Sequence, residues 1–492
     1  MDKKSNSIFS QFILGLLAMC LFIVYFIYFF IIPQTPARLT RPSASLVSDF
    51  PLWSWLVSIP LPVPDDPKSV AILLVAITVI AFAIYGLVVY LSWKLRARSG
   101  TLALVLIPTG AYLLLSTFAL PNLNTDIFNY MLRGRLTAVY DKNPYRVAAD
   151  EIPHDPVYPY ASHDYTDVAE WWKLPLWTSI EIGLAKLTGD DVAKNLLIYR
   201  VAFLLVNISN LILIAIIINN INLSFLIAGL VLYAWNPIIV ILGQSKGDTF
   251  IVFFLLLAIL LMVIERRNLT IVPLTLSVLI KMTTLPFLAV YLLMNLRRKK
   301  WRDYIILGIL FAITAAVFYI RFDLGDYLTT QLVSIIGMSG GSAPDFFRNF
   351  MRVVFVVLII VIGITRSGEK KQMILGWVIL ALFFSLFLIN YGKVWYLIPL
   401  IALACLTPDW RTISTTYLLS FFGFLIYTWN SGFNKEFAAP VVISLPRYII
   451  YLGLLSVGLI AIGAVLLWKM LKQKKNGHVG SVPPLFSRQE QE

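Results

Sequence analysis

The residues best suited to chemistry lie in the stretch 124–145, which reads NTDIFNYMLRGRLTAVYDKNPY. In a helix, Asp126, Tyr130 and Arg133 of this stretch fall on one face at i, i+4 and i+7. The opposite face carries the apolar side chains Phe128, Leu132, Leu136 and Val139. The pattern predicts an amphipathic helix lying in the membrane interface. A carboxylate at that boundary is suited to act as a general base that activates a sugar hydroxyl.

Each of these side chains also has a simpler interpretation. Asp126 stands just inside the predicted helix start, where a carboxylate complements the helix dipole and caps free amides. Arg133 and Arg135 are typical of anchors to lipid head groups. In the functional interpretation, one of the two arginines forks onto a lipid-linked phosphate leaving group, which guanidinium geometry favours.

A second candidate is the run Trp235–Asp248, which reads WNPIIVILGQSKGD. Asn236 and Pro237 break a helix within an apolar segment, so the freed backbone groups need local partners. The end of the run is a flexible polar turn that contains one cation, Lys246, and one acid, Asp248. A plain connecting turn is the alternative interpretation.

Lys281 lies within the apolar stretch 269–296, where a charge is costly and indicates function. We expect it to pair with a phosphate or with an acid such as Asp126 or Asp248. Later in the chain, Lys393, Trp395 and Tyr396 stand at the end of an apolar segment. They are candidates for lining a sugar pocket, although aromatic residues at a membrane boundary have the same pattern.

The composition indicates the elements that position these residues. The chain has 492 residues, of which 59% are hydrophobic and 13% charged, and its mean hydropathy is +0.81. These values predict an all-α polytopic membrane protein. The formal charge of +14 is concentrated in short basic runs between apolar segments, which is typical of topology signals and argues against nucleic-acid binding. Candidate crossings are 12–32, 70–93, 101–120, 197–218, 223–243, 249–264, 303–320, 349–364, 373–390, 394–407, 413–430 and 447–468.

The stretch 269–296 is apolar as well, but basic residues flank it at both ends. If it crossed once, every later basic run would lie on the side opposite to the earlier ones. The positive-inside rule therefore predicts that it turns back near Lys281 as a re-entrant helical hairpin. We expect twelve crossings plus this hairpin, a multi-pass cell-membrane protein with both termini cytoplasmic, and a chemical site on the extracytoplasmic face.

The predicted organisation has five parts, one of which is a large polar loop. These parts are N-terminal crossings (1–120), an outer catalytic loop with interfacial helices (121–196), crossings with the hairpin (197–300), C-terminal crossings (301–470) and a cytoplasmic tail (471–492). The outer loop holds 11 of the 26 acidic residues of the chain against 7 basic ones. A loop of this size points to an active site, because transporters usually keep their connecting loops short.

The motifs resemble those of the GT-C superfamily of integral-membrane glycosyltransferases. The chain is most similar to the mannopyranosyltransferases that use polyprenol-phosphate mannose. The residues that carry the resemblance are Thr125-Asp126, Phe128, Tyr130, Gly134-Arg135, Asn143-Pro144-Tyr145, Asn236-Pro237, Ser245-Lys246-Gly247-Asp248, Lys281 and Pro286. Phe128 replaces a tyrosine of the family pattern, and the turn at 245–247 lacks its histidine and asparagine. Either change is compatible with a different sugar or acceptor.

The resemblance implies inverting transfer of a hexose, with mannose as the expected sugar, from a polyprenyl-phosphate donor to a glycolipid or glycan acceptor. Asp126 would be the general base, and Arg133, Arg135 and Lys281 would bind the donor phosphate. Residues expected to contact substrate are Tyr130, Tyr145, Asn236, Lys246, Asp248, Lys393, Trp395 and Tyr396. No cofactor or metal is expected, although the sequence leaves a divalent ion open. The alternatives are a transporter or flippase of a lipid-linked sugar, or a ligase that moves a whole glycan.

Overall fold

The structure is a computed structural model that describes residues 3–31, 54–55, 66–95, 99–119, 121, 126–161, 174–297, 301–322, 343–365, 370–388 and 393–433. All regular elements in these ranges are helical. Residues 1–434 form one compact unit. The predicted crossing 447–468 and the predicted tail 471–492 lie outside the described residues.

The first half of the chain forms helices α1 to α9. They are α1 (Lys3–Phe26), α2 (Pro67–Lys94), α3 (Ser99–Thr117), α4 (Asp126–Ala138), α5 (Pro175–Lys186), α6 (Val192–Ile221), α7 (Leu226–Ala234), α8 (Pro237–Leu242) and α9 (Asp248–Val263). Local sequence explains several of the helix starts. The Asp66 carboxylate caps α2 by accepting from the Ser69 amide, and Asp191 caps α6 in the same way.

The second half forms helices α10 to α16. They are α10 (Ile271–Ile280), α11 (Leu285–Arg297), α12 (Trp301–Phe322), α13 (Ala343–Thr365), α14 (Lys370–Phe383), α15 (Leu397–Ala404) and α16 (Trp410–Phe433). A short 3₁₀ turn, Val394–Tyr396, leads into α15. It places two aromatic residues directly before that helix.

Five helical segments of the described chain are long and apolar enough to cross a bilayer. They are Ile8–Phe30, Ser69–Lys94, Gly100–Thr117, Val192–Ile221 and Lys370–Leu388. Shorter apolar helices, among them Asp248–Val263 and Arg267–Ile280, occupy other parts of the predicted crossings. The prediction of an all-helical fold with long apolar helices is therefore confirmed for the described residues.

Helices α10 and α11 run side by side in opposite directions. Lys281 breaks the helix with an extended backbone (φ −158°, ψ 131°), and the Ile280 carbonyl accepts a hydrogen bond from the Leu174 amide at 3.4 Å. The Tyr291 hydroxyl donates to the Arg267 carbonyl, so α11 returns alongside the start of α10. The stretch 269–296 thus contains two helices that contact each other, with Lys281 at the break between them, and its arrangement as a re-entrant hairpin stays a prediction.

Several helix termini that carry basic residues lie at the end of the helices that is far from Lys281. The Trp93 ring packs on Phe225 and on Trp410, with centroids 5.5 and 5.7 Å apart, which joins the end of α2 to the starts of α7 and α16. Lys370, at the start of α14, pairs with Glu265 just after α9 at 2.9 Å. Lys281 and the start of α9 therefore lie at the other end.

Helix α4 is more buried than a helix with one polar and one apolar face predicts, and its position at a membrane interface stays a prediction. Residues on every side of this helix are buried, including Asn129, Arg135 and Thr137. Helix α5 crosses α4 so closely that a Cβ atom at Gly134 would overlap the Glu181 carbonyl oxygen. The polar face is thus covered by protein.

Candidate active site

Two neighbouring ion pairs form the centre of the candidate site. The Lys246 ammonium contacts Oδ2 of Asp126, and the Lys281 ammonium lies 3.1 Å from both carboxylate oxygens of Asp248. The exposed fractions of the Lys246 and Asp248 side chains are 1% and 3%, against 17% for Asp126 and 14% for Lys281. Each buried charge therefore has a partner, and the more accessible groups are one acid and one base.

Four separate elements bring these groups together. Asp126 is the first residue of α4, and Asp248 is the first residue of α9. Lys246 belongs to the turn between α8 and α9, and Lys281 lies at the break between α10 and α11. Negative side chains at two helix starts are favourable for the helix dipoles as well as for the lysines.

Two aromatic rings cover the lysines. The Lys246 Nζ atom lies 3.3 Å from the centroid of the Trp395 ring, and the Lys281 Nζ atom lies 4.0 Å from that of Tyr396. Both rings belong to the 3₁₀ turn before α15. These cation–π contacts stabilise the ammonium groups, by about 2 kcal/mol where water is excluded. Together the rings and ion pairs form a compact polar cluster with an aromatic wall.

Helix α6 holds the turn that carries Lys246. The Asn207 amide donates to the Gly243 carbonyl at 3.2 Å, and the Asn210 amide donates to the Thr249 carbonyl at 3.1 Å. Thr249 in turn donates from its hydroxyl to the Gly243 carbonyl at 2.7 Å. Because these carbonyls are buried, their satisfaction fixes the backbone on both sides of Lys246 and Asp248.

Burial lowers the pKa of Lys246 to about 8, because removal from water disfavours the ammonium form. The charges of Asp126 and Asp248 oppose this shift, and the nearby Lys281 ammonium adds to it. Lys246 is thus a lysine that can release its proton close to neutral pH. In its protonated form it holds the Asp126 carboxylate.

Arg133, Tyr130 and Tyr145 lie beside this cluster, against α5. Arg133 pairs with Glu181 at 3.4 Å, and its guanidinium carbon lies 5.2 Å from the centroid of the Tyr145 ring. The Tyr145 hydroxyl is hydrogen-bonded to Thr178 at 2.8 Å. The Tyr130 ring packs edge-on against Trp177 at 5.1 Å. These three residues form a second group that adjoins the ion pairs through the Trp177 ring, which contacts Gly247.

Arg135 is enclosed by protein groups that already bind its guanidinium. Its guanidinium donates to Asp155 at 2.7 Å, to Asp190 at 2.6 Å and to the Gly189 carbonyl, and the side chain is fully buried. All three of its nitrogen atoms therefore hold Asp155 and the segment Gly189–Asp190 against α4. A contact with a donor phosphate stays a prediction that this environment does not favour.

Asn236 and Lys393 lie outside the two ion pairs. The side-chain oxygen of Asn236 accepts a hydrogen bond from the Ile238 amide, so this buried side chain caps the start of α8. Its side-chain nitrogen donates to the Tyr85 hydroxyl at 3.3 Å. Lys393 is half-buried directly before the 3₁₀ turn that carries Trp395 and Tyr396. Neither position contradicts a substrate contact, and neither supplies one.

Sequence reasoning missed several residues of the site. Trp177, Thr178 and Glu181 of α5 support Arg133, Tyr130 and Tyr145, but their spacing from α4 carries no local signal. Arg200 was detectable, since it is a charge inside a long apolar run. It contacts the Gln244 carbonyl of the site turn at 3.1 Å.

An apolar cleft opens beside the break between α10 and α11. Its lining includes Thr284, Phe287, Phe355, Phe384 and Tyr396. The cleft shares Tyr396 with the Lys281 cation–π contact, so an apolar surface lies next to a charged one. Among the described residues, no three His, Cys, Asp or Glu side chains are close enough to hold a metal ion.

Comparison with protein-family models, with curated proteins and with solved structures finds no match to this chain. The geometry of the site is therefore the basis for its functional interpretation.

Proposed function

We propose that the chain is a membrane glycosyltransferase that moves a hexose from a polyprenyl-phosphate donor to a glycan or glycolipid acceptor. One observation carries the proposal: an acid at the start of α4 and two lysines from distant elements meet beside an aromatic wall. A carboxylate, cations for a phosphate and aromatic rings for a sugar are the groups that such a transfer needs. The sequence resemblance points to the same reaction.

In the proposed reaction, Asp126 accepts the proton of an acceptor hydroxyl. The hydroxyl oxygen forms a bond to the anomeric carbon of the donor while the bond from that carbon to the phosphate oxygen breaks. The electron pair leaves with the lipid phosphate, and the anomeric configuration inverts. Lys246 orients the Asp126 carboxylate before the acceptor arrives.

The leaving phosphate would be stabilised by ammonium groups. Lys281 and Lys246 offer two cations in a site of low exposure, where charge interactions are stronger than in water. Arg133 is a further candidate for binding the phosphate, but it would first have to give up its ion pair with Glu181. The apolar side chains beside Tyr396, among them Phe287 and Phe384, would contact the first part of the prenyl chain.

The proposal includes a topology. Twelve crossings and a re-entrant α10–α11 hairpin would place both termini in the cytoplasm and the site on the outer face. The basic termini gathered at Lys94, Arg267, Lys370 and Arg411 support this arrangement, because such residues favour the cytoplasmic side. Mannose as the sugar and a cell-surface glycan as the acceptor rest on the resemblance alone.

The test is a transfer assay with the purified full chain in lipid nanodiscs. Synthetic short-chain polyprenyl-phosphate mannose is the donor, a short mannoside is the acceptor, and the product is measured by mass spectrometry. We expect Asp126→Asn to lower turnover by a factor of about 10² to 10⁴, as for loss of a general base. Asp141→Asn is the matched control, because Asp141 is exposed and its positive φ of 48° suits asparagine.

Unchanged turnover in Asp126→Asn would contradict the proposed role of this carboxylate. Movement of the sugar lipid across vesicle membranes without a new glycosidic bond would instead identify a transporter. Transfer of an entire oligosaccharide would identify a ligase.

A further inference from the structure

Arg200 is a buried cation that has no acidic partner among the residues that the structure describes. Three cationic side chains of the described chain are fully buried: Arg135, Arg200 and Lys246. Arg135 and Lys246 each contact a carboxylate, whereas no described Asp or Glu lies within ion-pair distance of Arg200. A buried charge without a counter-charge is strongly destabilising, so Arg200 needs an anion that the described part of the chain does not supply.

The hydrogen bonds of Arg200 are also incomplete. Its two terminal nitrogens contact the Gln244 and Ala119 carbonyls at 3.1 and 3.5 Å, and its Nε atom has no partner among the described residues. A guanidinium offers five N–H donors, so two such contacts leave most of them unused. Backbone carbonyls supply partial charge only and do not balance the cation.

Gln244 supplies a second, independent observation. Its side chain is fully buried, and both its amide nitrogen and its carbonyl oxygen lack hydrogen-bond partners in the described structure. Buried amides are nearly always hydrogen-bonded, and an exception calls for a missing water, ion or ligand. The unpartnered amide belongs to the same residue whose carbonyl contacts Arg200.

We propose that Arg200 and Gln244 bind a small anion at the junction of α3, α6 and the turn before α9. The anion would accept hydrogen bonds from the Arg200 guanidinium and the Gln244 amide. A solvent halide and a phosphate group share this chemistry, and the test below distinguishes them. The site is separate from the Asp126–Lys246 pair, but it borders the same turn, so a bound anion would stabilise the backbone that carries Lys246.

The test measures the thermal unfolding midpoint of the full chain in detergent. Sodium bromide and sodium phosphate are each titrated against sodium gluconate at equal ionic strength. For the wild type we expect a saturating rise of the midpoint with one of the two anions, as binding to the folded state requires. A rise with bromide identifies a halide site, and a rise with phosphate alone identifies a phosphate site.

Two variants and one control separate anion binding from general loosening of the turn. Arg200→Gln should abolish the rise, and Gln244→Leu should weaken the apparent affinity by about tenfold, the worth of one hydrogen bond to a charged group. Asn207→Leu removes another contact to the same turn and should keep the anion effect. If Arg200→Gln does not fold, Gln244→Leu decides, because it leaves the Arg200 contact with the backbone carbonyl in place.

A crystal grown with bromide adds a direct readout. We expect an anomalous peak at contact distance from Arg200 Nε if the site takes a halide. Equal midpoints in bromide, phosphate and gluconate would overturn the proposal, as would an equal anion effect in the wild type and in Gln244→Leu. Ordered water alone beside Arg200 in both anions would overturn it as well.

Discussion

The pair of Lys281 and Asp248 offers the sharpest quantitative test of the site. Both carboxylate oxygens lie 3.1 Å from the ammonium, and the two side chains are 14% and 3% exposed. At that distance and an effective dielectric constant of about 20, the Coulomb attraction is about 5 kcal/mol. Because burial opposes it, the net value of the pair is smaller than the cost of breaking it.

The perturbation is a double-mutant cycle with Asp248→Asn and Lys281→Met. Each single substitution leaves an unmatched buried charge and should lower the free energy of unfolding by about 3–5 kcal/mol. The double variant has no such charge, so it should lose less than the sum of the two singles. We expect a coupling energy of about 2–3 kcal/mol.

The assay is reversible unfolding of the full chain in mixed micelles, followed by circular dichroism. The Lys142–Glu151 pair is the control, since its side chains are 34% and 54% exposed and its coupling should stay below about 1 kcal/mol. Single effects at positions 248 and 281 that add within about 0.5 kcal/mol would refute the reasoning. Such additivity would mean that the two charges do not depend on each other.

Two further predictions address the turn and the helix crossing. The pKa of Lys246 is about 8 in the folded chain, against its ordinary value of 10.5. Its contribution to the free energy of unfolding therefore rises with pH between these values, because the unfolded chain holds the proton more tightly. As the pH passes 8, the Lys246 side chain loses its charge and with it the cation–π contact to the Trp395 ring. The fluorescence difference between wild type and Trp395→Phe should change with a midpoint near pH 8, and persistence of that change in Lys246→Met would contradict the assignment. Gly134→Ala should lower the unfolding free energy by about 1–3 kcal/mol through overlap with the Glu181 carbonyl. Gly183→Ala, which meets no atom within 4 Å, should not, and an equal loss in both would disprove the overlap.

Much of the helical framework follows from hydropathy and charge. The predicted crossing 70–93 lies within α2, and 249–264 matches α9 to within one residue at each end. The structure breaks the helix at Lys281, where the basic residues around 269–296 predict a turn, and the re-entrant hairpin stays a prediction. Hydropathy works here because long apolar runs have few alternatives to helices that pack together.

The residues of the candidate site could be predicted from the sequence, but which lysine pairs with which aspartate could not. The sequence suggests Asp126 and Asp248 as possible partners of Lys281, and the structure joins Lys281 to Asp248 and Lys246 to Asp126. This choice depends on where the break at Lys281 meets the start of α9. Such an approach is set by packing among helices far apart in the chain, which spacing along one helix does not encode.

The burial of α4 by protein could not be predicted for a related reason. Periodicity places Asp126, Tyr130 and Arg133 on one face, but it does not say whether water, lipid or protein covers that face. Here α5 covers it, and Gly134 permits the close crossing. A helix with polar groups on one side is therefore interfacial only when no other element supplies partners for those groups.

Burial by protein also changes how the acidic residues of the predicted outer loop, 121–196, are interpreted. Its surplus of acids suggests a polar surface for substrate, yet several of them neutralise buried cations of the same loop or of the site turn. Asp155 and Asp190 contact Arg135, Glu181 contacts Arg133, and Asp126 contacts Lys246. Because these carboxylates are already matched, a negatively charged lipid phosphate would meet a site that is close to neutral. Its binding then requires exchange of a carboxylate for a phosphate at a lysine, and Asp126, the more exposed of the two acids, is the one placed to exchange.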